Sequence, residues 1–221
     1  MPNRVESIAR PSRDPREIVR EGYDRASHAY RADSLELHAR SGYAHWLRRI
    51  ERRLAPGSRV LDLGCGNGLP VARELAKRHR VTGLDLSEVQ VRRARRLVPE
   101  ARYVCADMTH VEFAPKSFDA VTAFFSIINV PLEDQPKLFE SIASWLVPGG
   151  WLLAVVGKHR RTAIEEDFRG TKGAAMYWSY GSLYEYQRWI TGAGFDIVEE
   201  GSQPQRSPSG YAVVIARRGS A

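Results

Sequence analysis

Three aspartates and three glycines carry most of the chemistry this sequence offers. Gly64, Gly66 and Gly68 occupy alternate positions directly after the apolar run Val60, Leu61, Leu63, and a helical pattern starts at Leu69. A glycine-rich turn between a strand and a helix lets a ligand approach bare backbone, and nucleotides are the usual occupants. Asp62 lies within that first run, and Asp85 ends the next, where a carboxylate can accept both hydroxyls of a ribose. Asp107 follows the third run with Met108 behind it, a carboxylate for an exocyclic amine beside an apolar side chain for a purine face. The turn itself contains no Lys or Arg. Like charges in a partly dry crevice are costly unless a cation or a hydrogen-bond donor arrives, so a phosphate-bearing nucleotide suits this site poorly. A cationic, ribose-bearing ligand suits it. S-adenosylmethionine is such a molecule, and its carboxylate would use the backbone amides of the turn.

These residues need elements that bring them to one place. Candidate strands are Arg59–Leu63, Val81–Asp85, Arg102–Cys105, Ala120–Phe125, Trp151–Val156, Phe195–Val198 and Tyr211–Ala216. Candidate helices are Arg16–Arg31, Leu35–Leu54, Leu69–Arg78, Ser87–Val98, Glu133–Leu146 and Ser182–Ala193; Ser87-x-x-Gln90 and Ser182-x-x-Glu185 match the capping box. Strands alternating with helices predict a doubly wound, mostly parallel sheet covered on both faces, with ligands at the carboxyl ends of the strands. No helical pattern separates Val198 from Tyr211, which predicts an antiparallel closing hairpin. Residues 1–15, rich in proline and charge, read as frayed. The segment 157–181 fits neither strand nor helix. The expected organisation is a helical cap over residues 1–57 and a ligand-binding domain over 58–221, with 157–181 as a lid.

The blocks VLDLGCGNG, VTGLDLS, CADM, FDAVTAFFSIINV and LVPGG, in this order and spacing, resemble a class I S-adenosylmethionine-dependent methyltransferase of the small-molecule type. The resemblance implies a Rossmann-like, seven-stranded sheet whose last strand is antiparallel. It implies that Asp62, Gly64, Gly66 and Asn67 line the methionine end, that Asp85, Leu86, Ser87 and Gln90 hold the ribose, that Asp107 and Met108 hold the adenine, and that Ala123 and Phe124 close the floor. The stretch YDRASHAY is similar to the N-terminal helix of small-molecule members, which nominates Tyr23 and Tyr30 as cofactor contacts; their helical spacing suits core packing equally.

Transfer of a methyl group from a sulfonium needs a nucleophile held in line and water excluded. A general base is needed only where the acceptor starts protonated, and His159, after the fifth strand, is the candidate, although Lys158–Arg161 reads equally as a solvated loop. Asn129 could orient a substrate or cap the next helix. Tyr177 and Trp178, in the lid segment, are candidate substrate contacts for a planar or apolar acceptor, with core packing the alternative. The expected product is an O- or N-methylated small molecule.

Rival readings are weaker. A nicotinamide-dependent oxidoreductase would carry G-x-G-x-x-G where this chain has G-x-G-x-G, and no tyrosine has Lys four residues on. Asn129-Val130-Pro131-Leu132 lacks the first proline and the aromatic of an amino-methylating nucleic-acid enzyme. A cofactor-binding protein of this fold that does not methylate is the third alternative. Net charge is +7, but Arg48, Arg49, Arg52 and Arg53, and Arg92, Arg93, Arg95 and Arg96, fall in amphipathic helical patterns and read as outer faces rather than a nucleic-acid surface. With 43% hydrophobic residues the 221-residue chain is globular, and no apolar run reaches the length of a membrane span. The charged N-terminus is not a secretory signal, and Cys65 and Cys105 read as reduced thiols without metal-ligand spacing, so the expectations are a cytoplasmic protein and no metal.

Overall fold

The computed structural model describes residues 5–7, 11–34, 37–38, 41–203 and 210–220. Its elements are β1 (Val5–Ser7), α1 (Pro15–Tyr30), α2 (Gly42–Glu51), β2 (Arg59–Leu63), α3 (Val71–Ala76), β3 (Arg80–Asp85), α4 (Glu88–Leu97), β4 (Arg102–Cys105), β5 (Phe118–Ala123), α5 (Gln135–Trp145), β6 (Leu146–Val156), β7 (Arg161–Glu165), β8 (Met176–Tyr180), α6 (Leu183–Gly192), β9 (Phe195–Gln203) and β10 (Tyr211–Arg218). Seven strands form one sheet in the order β4-β3-β2-β5-β6-β10-β9. Strands β2 to β6 pair in parallel, and β10 runs antiparallel to both of its neighbours, β6 and β9. The winding reverses between β2 and β5, so the crevice opens beyond their carboxyl ends, where Asp62, the glycine turn and Phe124 arrive.

Both sheet faces are covered, which is why the central strands read as apolar runs rather than alternations. Leu138, Phe139 and Ile142 of α5 and Ile190 of α6 pack on one face. Trp46, Leu47 and Ile50 of α2 and Leu75 of α3 pack on the other. Ser182 and Glu185 form the full capping box, and Ser87 Oγ accepts from the Gln90 amide at 3.1 Å, so α6 and α4 start where the sequence places them.

Three expectations need correction. Segment 157–181 is not irregular: β7 and β8 pair antiparallel, and β1 joins the other side of β7, giving a separate three-stranded sheet. Its two strands are short and only partly buried, and residues 166–175 between them include Asp167 and Arg169 at positive φ, so no long periodic run marks it. The described second helix runs Gly42–Glu51, capped by Ser41, where the expected helix ran Leu35–Leu54. Within the expected frayed N-terminus, residues 5–7 are instead paired as β1, and residues 1–4 and 8–10 lie outside the described residues, as do 35–36 and 39–40 of the expected second helix and 204–209 of the hairpin loop.

The first helix closes the crevice from above. Its Ile18, Val19 and Ala26 pack with Phe168, Met176 and Tyr177. Polar bonds fix it to α4: Ser87 Oγ donates to Asp24 at 2.5 Å and Ser27 Oγ to Gln90 Oε1 at 3.0 Å. Arg93 reaches up from α4 to Ser27 Oγ (2.5 Å), the Arg31 carbonyl (2.6 Å) and Asp33.

Candidate functional site

A cleft of about 700 Å³ lies under α1, lined by residues from the ends of β2, β3, β4 and β5 and by α1 itself. It continues into a smaller lobe of about 300 Å³, with Tyr30, Gly64, Gly66 and Phe124 shared between the two. The glycine turn makes this possible. Gly64 has φ +72°, and a Cβ there would sit 2.2 Å from the Ser126 Cβ. Gly66 has φ +55° and faces open space, so its missing side chain leaves the lobe free rather than serving packing.

Three carboxylates stand along this cleft in different electrostatic states. Asp62, 1% exposed, takes one bond from Thr122 Oγ1 at 2.9 Å, while its Oδ2 has no partner. Burial, with a smaller push from Asp85, raises its carboxyl to about 7. Asp85 accepts from the Gly66 amide at 2.8 Å and the Ser87 amide at 2.9 Å; burial still pushes it up to about 6. Asp107 is the opposite case. Burial would raise it, but Thr109 donates twice to its Oδ1, His110 contacts its Oδ2, and Arg16 Nε lies 2.8 Å from the same oxygen, so its carboxyl falls below the usual range.

The fold brings most of the residues nominated from sequence to one cleft. Tyr23, Tyr30, Gly64, Gly66, Asp85, Leu86, Ser87, Gln90, Asp107, Met108, Phe124 and Asn129 line the cleft, and Asp62 lines the smaller lobe. Asn67 and Ala123 do not: Asn67 is buried with its Oδ1 accepting from the Leu69 amide, and Ala123 is inside the core. Asn129 reaches the cleft with its polar atoms engaged, donating to the Tyr177 carbonyl at 2.7 Å and accepting from Tyr23 Oη at 3.3 Å. His159 is exposed and outside the lining, so it is not positioned as a base. Tyr177 and Trp178 are also outside it. Tyr177 is buried against α1 and borders another cleft beside Arg160 and Ser179; Trp178 donates its indole N–H to Glu165 at 3.0 Å and packs on Phe168.

Sequence reasoning missed residues that arrive from the cap and from the end of β5. Arg16 bridges Asp107 and Asp134, Arg31 and Tyr43 line the smaller lobe, and Phe125 and Ser126 complete the floor. The crevice therefore contains arginines, contrary to the reading of the turn alone; they come from α1 and its end. The YDRASHAY stretch, followed at once by Arg31, was the available signal.

Residues 60–150 match the family model described as a methyltransferase domain. That stretch belongs to this family and is carried on a class I methyltransferase fold. The chain is 31% identical over 122 residues to a 2-phytyl-1,4-naphtoquinone methyltransferase of Thermosynechococcus vestitus, a match covering 52% of this chain and 53% of that protein. It spans 27% to 62% of the length of the first curated relatives it matches. The structure of Burkholderia thailandensis 1,6-didemethyltoxoflavin-N1-methyltransferase, solved with its substrate and S-adenosylhomocysteine, superposes with a TM-score of 0.74 at 19% identity, covering 99% of this chain and 96% of that one. The [4+2]-cyclase SpnF superposes at 0.70 with 19% identity, covering 96% and 99%. Among the described residues no helix is long and apolar enough to cross a membrane, and no cluster of acidic, His or Cys side chains could hold a metal.

Proposed function

We propose that this protein is an S-adenosylmethionine-dependent methyltransferase acting on a small molecule at oxygen or nitrogen. The observation that carries the proposal is the unpartnered Asp62 Oδ2 beside Gly64 and Gly66, with Asp85 one strand away. A buried carboxylate oxygen without a donor is costly, and a ligand ammonium there relieves it. Asp85, its carboxylate oriented by the Gly66 and Ser87 amides, suits the ribose hydroxyls. Met108 and Leu86 suit the two faces of the adenine, and Asp107 with Thr109 its edge. The bound cofactor would supply an electrophilic sulfonium methyl. The chain's own work is then to hold the acceptor in line with it and to keep water out under α1.

Small-molecule acceptors are supported by three features. Tyr23 and Phe125 line the larger part of the cleft, and Tyr30 and Phe124 stand where it meets the smaller lobe. Relatives and neighbours are named for methylating a naphthoquinone and didemethyltoxoflavin, and by analogy a planar acceptor fits those walls. Half of the clustered arginines are engaged in ion pairs within the fold, Arg93 and Arg96 with Asp33 and Arg49 and Arg53 with Glu199, which weakens the case for a nucleic-acid surface. Residues 1–57 serve as the cap and 58–221 as the methyltransferase domain, with 157–181 part of the cover. The free thiols Cys65 and Cys105 suit a reducing, cytoplasmic setting.

Since a cyclase shares the fold, fold alone does not establish methyl transfer. The test is calorimetry with S-adenosylmethionine, S-adenosylhomocysteine and NAD, followed by transfer of a labelled methyl to candidate planar acceptors. Binding of the adenosyl pair but not NAD, with label reaching a small molecule, is expected. NAD binding without the adenosyl ligands overturns the cofactor assignment; adenosyl binding with an acceptor converted but unlabelled favours the cyclase-like alternative.

A further inference from the structure

The cofactor's amino-acid end carries a carboxylate as well as an ammonium, and the turn expected to hold that carboxylate is not free to do so. The Gly64 and Cys65 amides donate to the Leu84 carbonyl, Gly66 to Asp85, Gly68 to the Cys65 carbonyl, and Leu69 to Asn67 Oδ1. From Gly64 to Leu69 only the Asn67 amide is left over, and Asn67 is outside the lobe. The turn is closed on itself.

A different donor faces the same space. Arg31, the residue capping the end of α1, lines the smaller lobe with Asp62, Gly64 and Gly66. Its Nη1 donates to the Leu69 carbonyl at 2.6 Å and its Nη2 to Tyr43 Oη at 3.0 Å, and the Tyr30 and Tyr43 rings flank the guanidinium at 5.2 and 5.3 Å. Those partners are neutral. Among the described residues no carboxylate pairs with Arg31. The Arg31 charge is felt at Asp62, yet the two are not within the 4.0 Å of an ion pair. A cation and an anion in one small lobe, each lacking a counter-ion and held apart by their own elements, leave room for a ligand that carries both charges.

We propose that Arg31 is the carboxylate-binding residue of this lobe, facing Asp62 so that the pair receives the zwitterionic end of an α-amino acid. The inference rests on the cofactor reading above, in which that end is the methionine or homocysteine moiety. It makes cofactor recognition depend on the cap as well as the sheet: Arg31 is placed by Arg93 of α4, which bonds its carbonyl, and by Tyr43 of α2. A guanidinium donates two parallel bonds to a carboxylate, which an ammonium does not reproduce.

The experiment is isothermal calorimetry of the full chain with S-adenosylhomocysteine, its neutral carboxamide, and 5′-methylthioadenosine, which lacks the amino-acid end. Wild-type protein should bind the carboxamide about 10- to 100-fold more weakly than S-adenosylhomocysteine. Arg31→Gln should weaken S-adenosylhomocysteine by a similar factor and leave methylthioadenosine unchanged within about twofold, with Arg31→Lys intermediate. Equal binding of the acid and its carboxamide by wild-type protein overturns the proposal, even if the Arg31 variants do not fold. Equal losses for both adenosyl ligands in a folded Arg31→Gln protein also overturn it. If wild-type protein binds neither S-adenosylhomocysteine nor methylthioadenosine, the cofactor reading itself fails.

Discussion

Asp62 and Asp85 make the empty site pH-sensitive, and the sign follows from their direction of shift. Both carboxyls titrate higher in the folded protein, near 7 and 6, than in an unfolded chain near 3.8. The folded state therefore binds more protons between those values, and the unliganded protein loses stability from these groups as pH rises from about 4 to about 7. A ligand ammonium at Asp62 favours the ionised form, so cofactor affinity should climb from pH 6 to pH 8 and binding near pH 6.5 should release protons. Calorimetry in two buffers of different ionisation enthalpy reads this directly; identical apparent enthalpies would remove Asp62 from the site. Asp85→Ala should cost about 2–4 kcal/mol of S-adenosylhomocysteine binding through two lost charge-assisted bonds, without lowering the melting temperature of the empty protein. His159→Ala should leave kcat and KM unchanged once an acceptor is known, because the ring is exposed and away from the cleft.

The elements explain why some residues tolerate change and others do not. Gly64 meets two constraints, a positive φ and the Ser126 Cβ 2.2 Å from any added methyl. Gly64→Ala should destabilise by about 2–4 kcal/mol, measured by urea unfolding, because strain and overpacking act together. A cost below about 0.5 kcal/mol would mean that β2 and the Ser126 segment are not locked as described. The cover formed by β7 and β8 is packed rather than loose. Met176 and Tyr177 are buried, and Gln135 Nε2 bonds the Ser179 carbonyl at 2.7 Å while Tyr186 Oη donates to Gln135. Trp178 is half-buried on the same cluster, so Trp178→Ala should lose about 1.5–3 kcal/mol of stability, below the full cost of a buried Trp, and leave cofactor affinity unchanged.

At the scale of the molecule, one arginine ties the cap to the sheet. Arg93 is 6% exposed and reaches Ser27, the Arg31 carbonyl and Asp33, whose own carboxyl is held down to about 2 by bonds from Arg93 and Arg96. Arg93→Met should cost about 1–3 kcal/mol by leaving Ser27 Oγ and the Arg31 carbonyl without that donor while Asp33 keeps Arg96, and should expose α1 to limited proteolysis before the sheet. Simultaneous cleavage of cap and sheet segments would argue that they unfold as one unit.

The Asp62, Asp85 and Asp107 positions, the glycine turn and the closing hairpin were legible because they are local. Each depends on strand periodicity, on where a run ends, and on a turn that only glycine can make. The burial of both sheet faces follows from the same apolar runs, which have nowhere else to hide. Arg16, Arg31 and Tyr43 were not legible, because their role depends on where α1 and α2 come to rest against strands far along the chain. The same holds for Tyr177 and Trp178: aromatic type marks them for burial, but which surface buries them is set by β7, β8 and α1 packing together. It holds for His159 too, whose place after a strand does not say which way its loop turns. Sequence periodicity encodes which faces are apolar, while the partners of long polar side chains depend on distances across the fold that no local pattern carries.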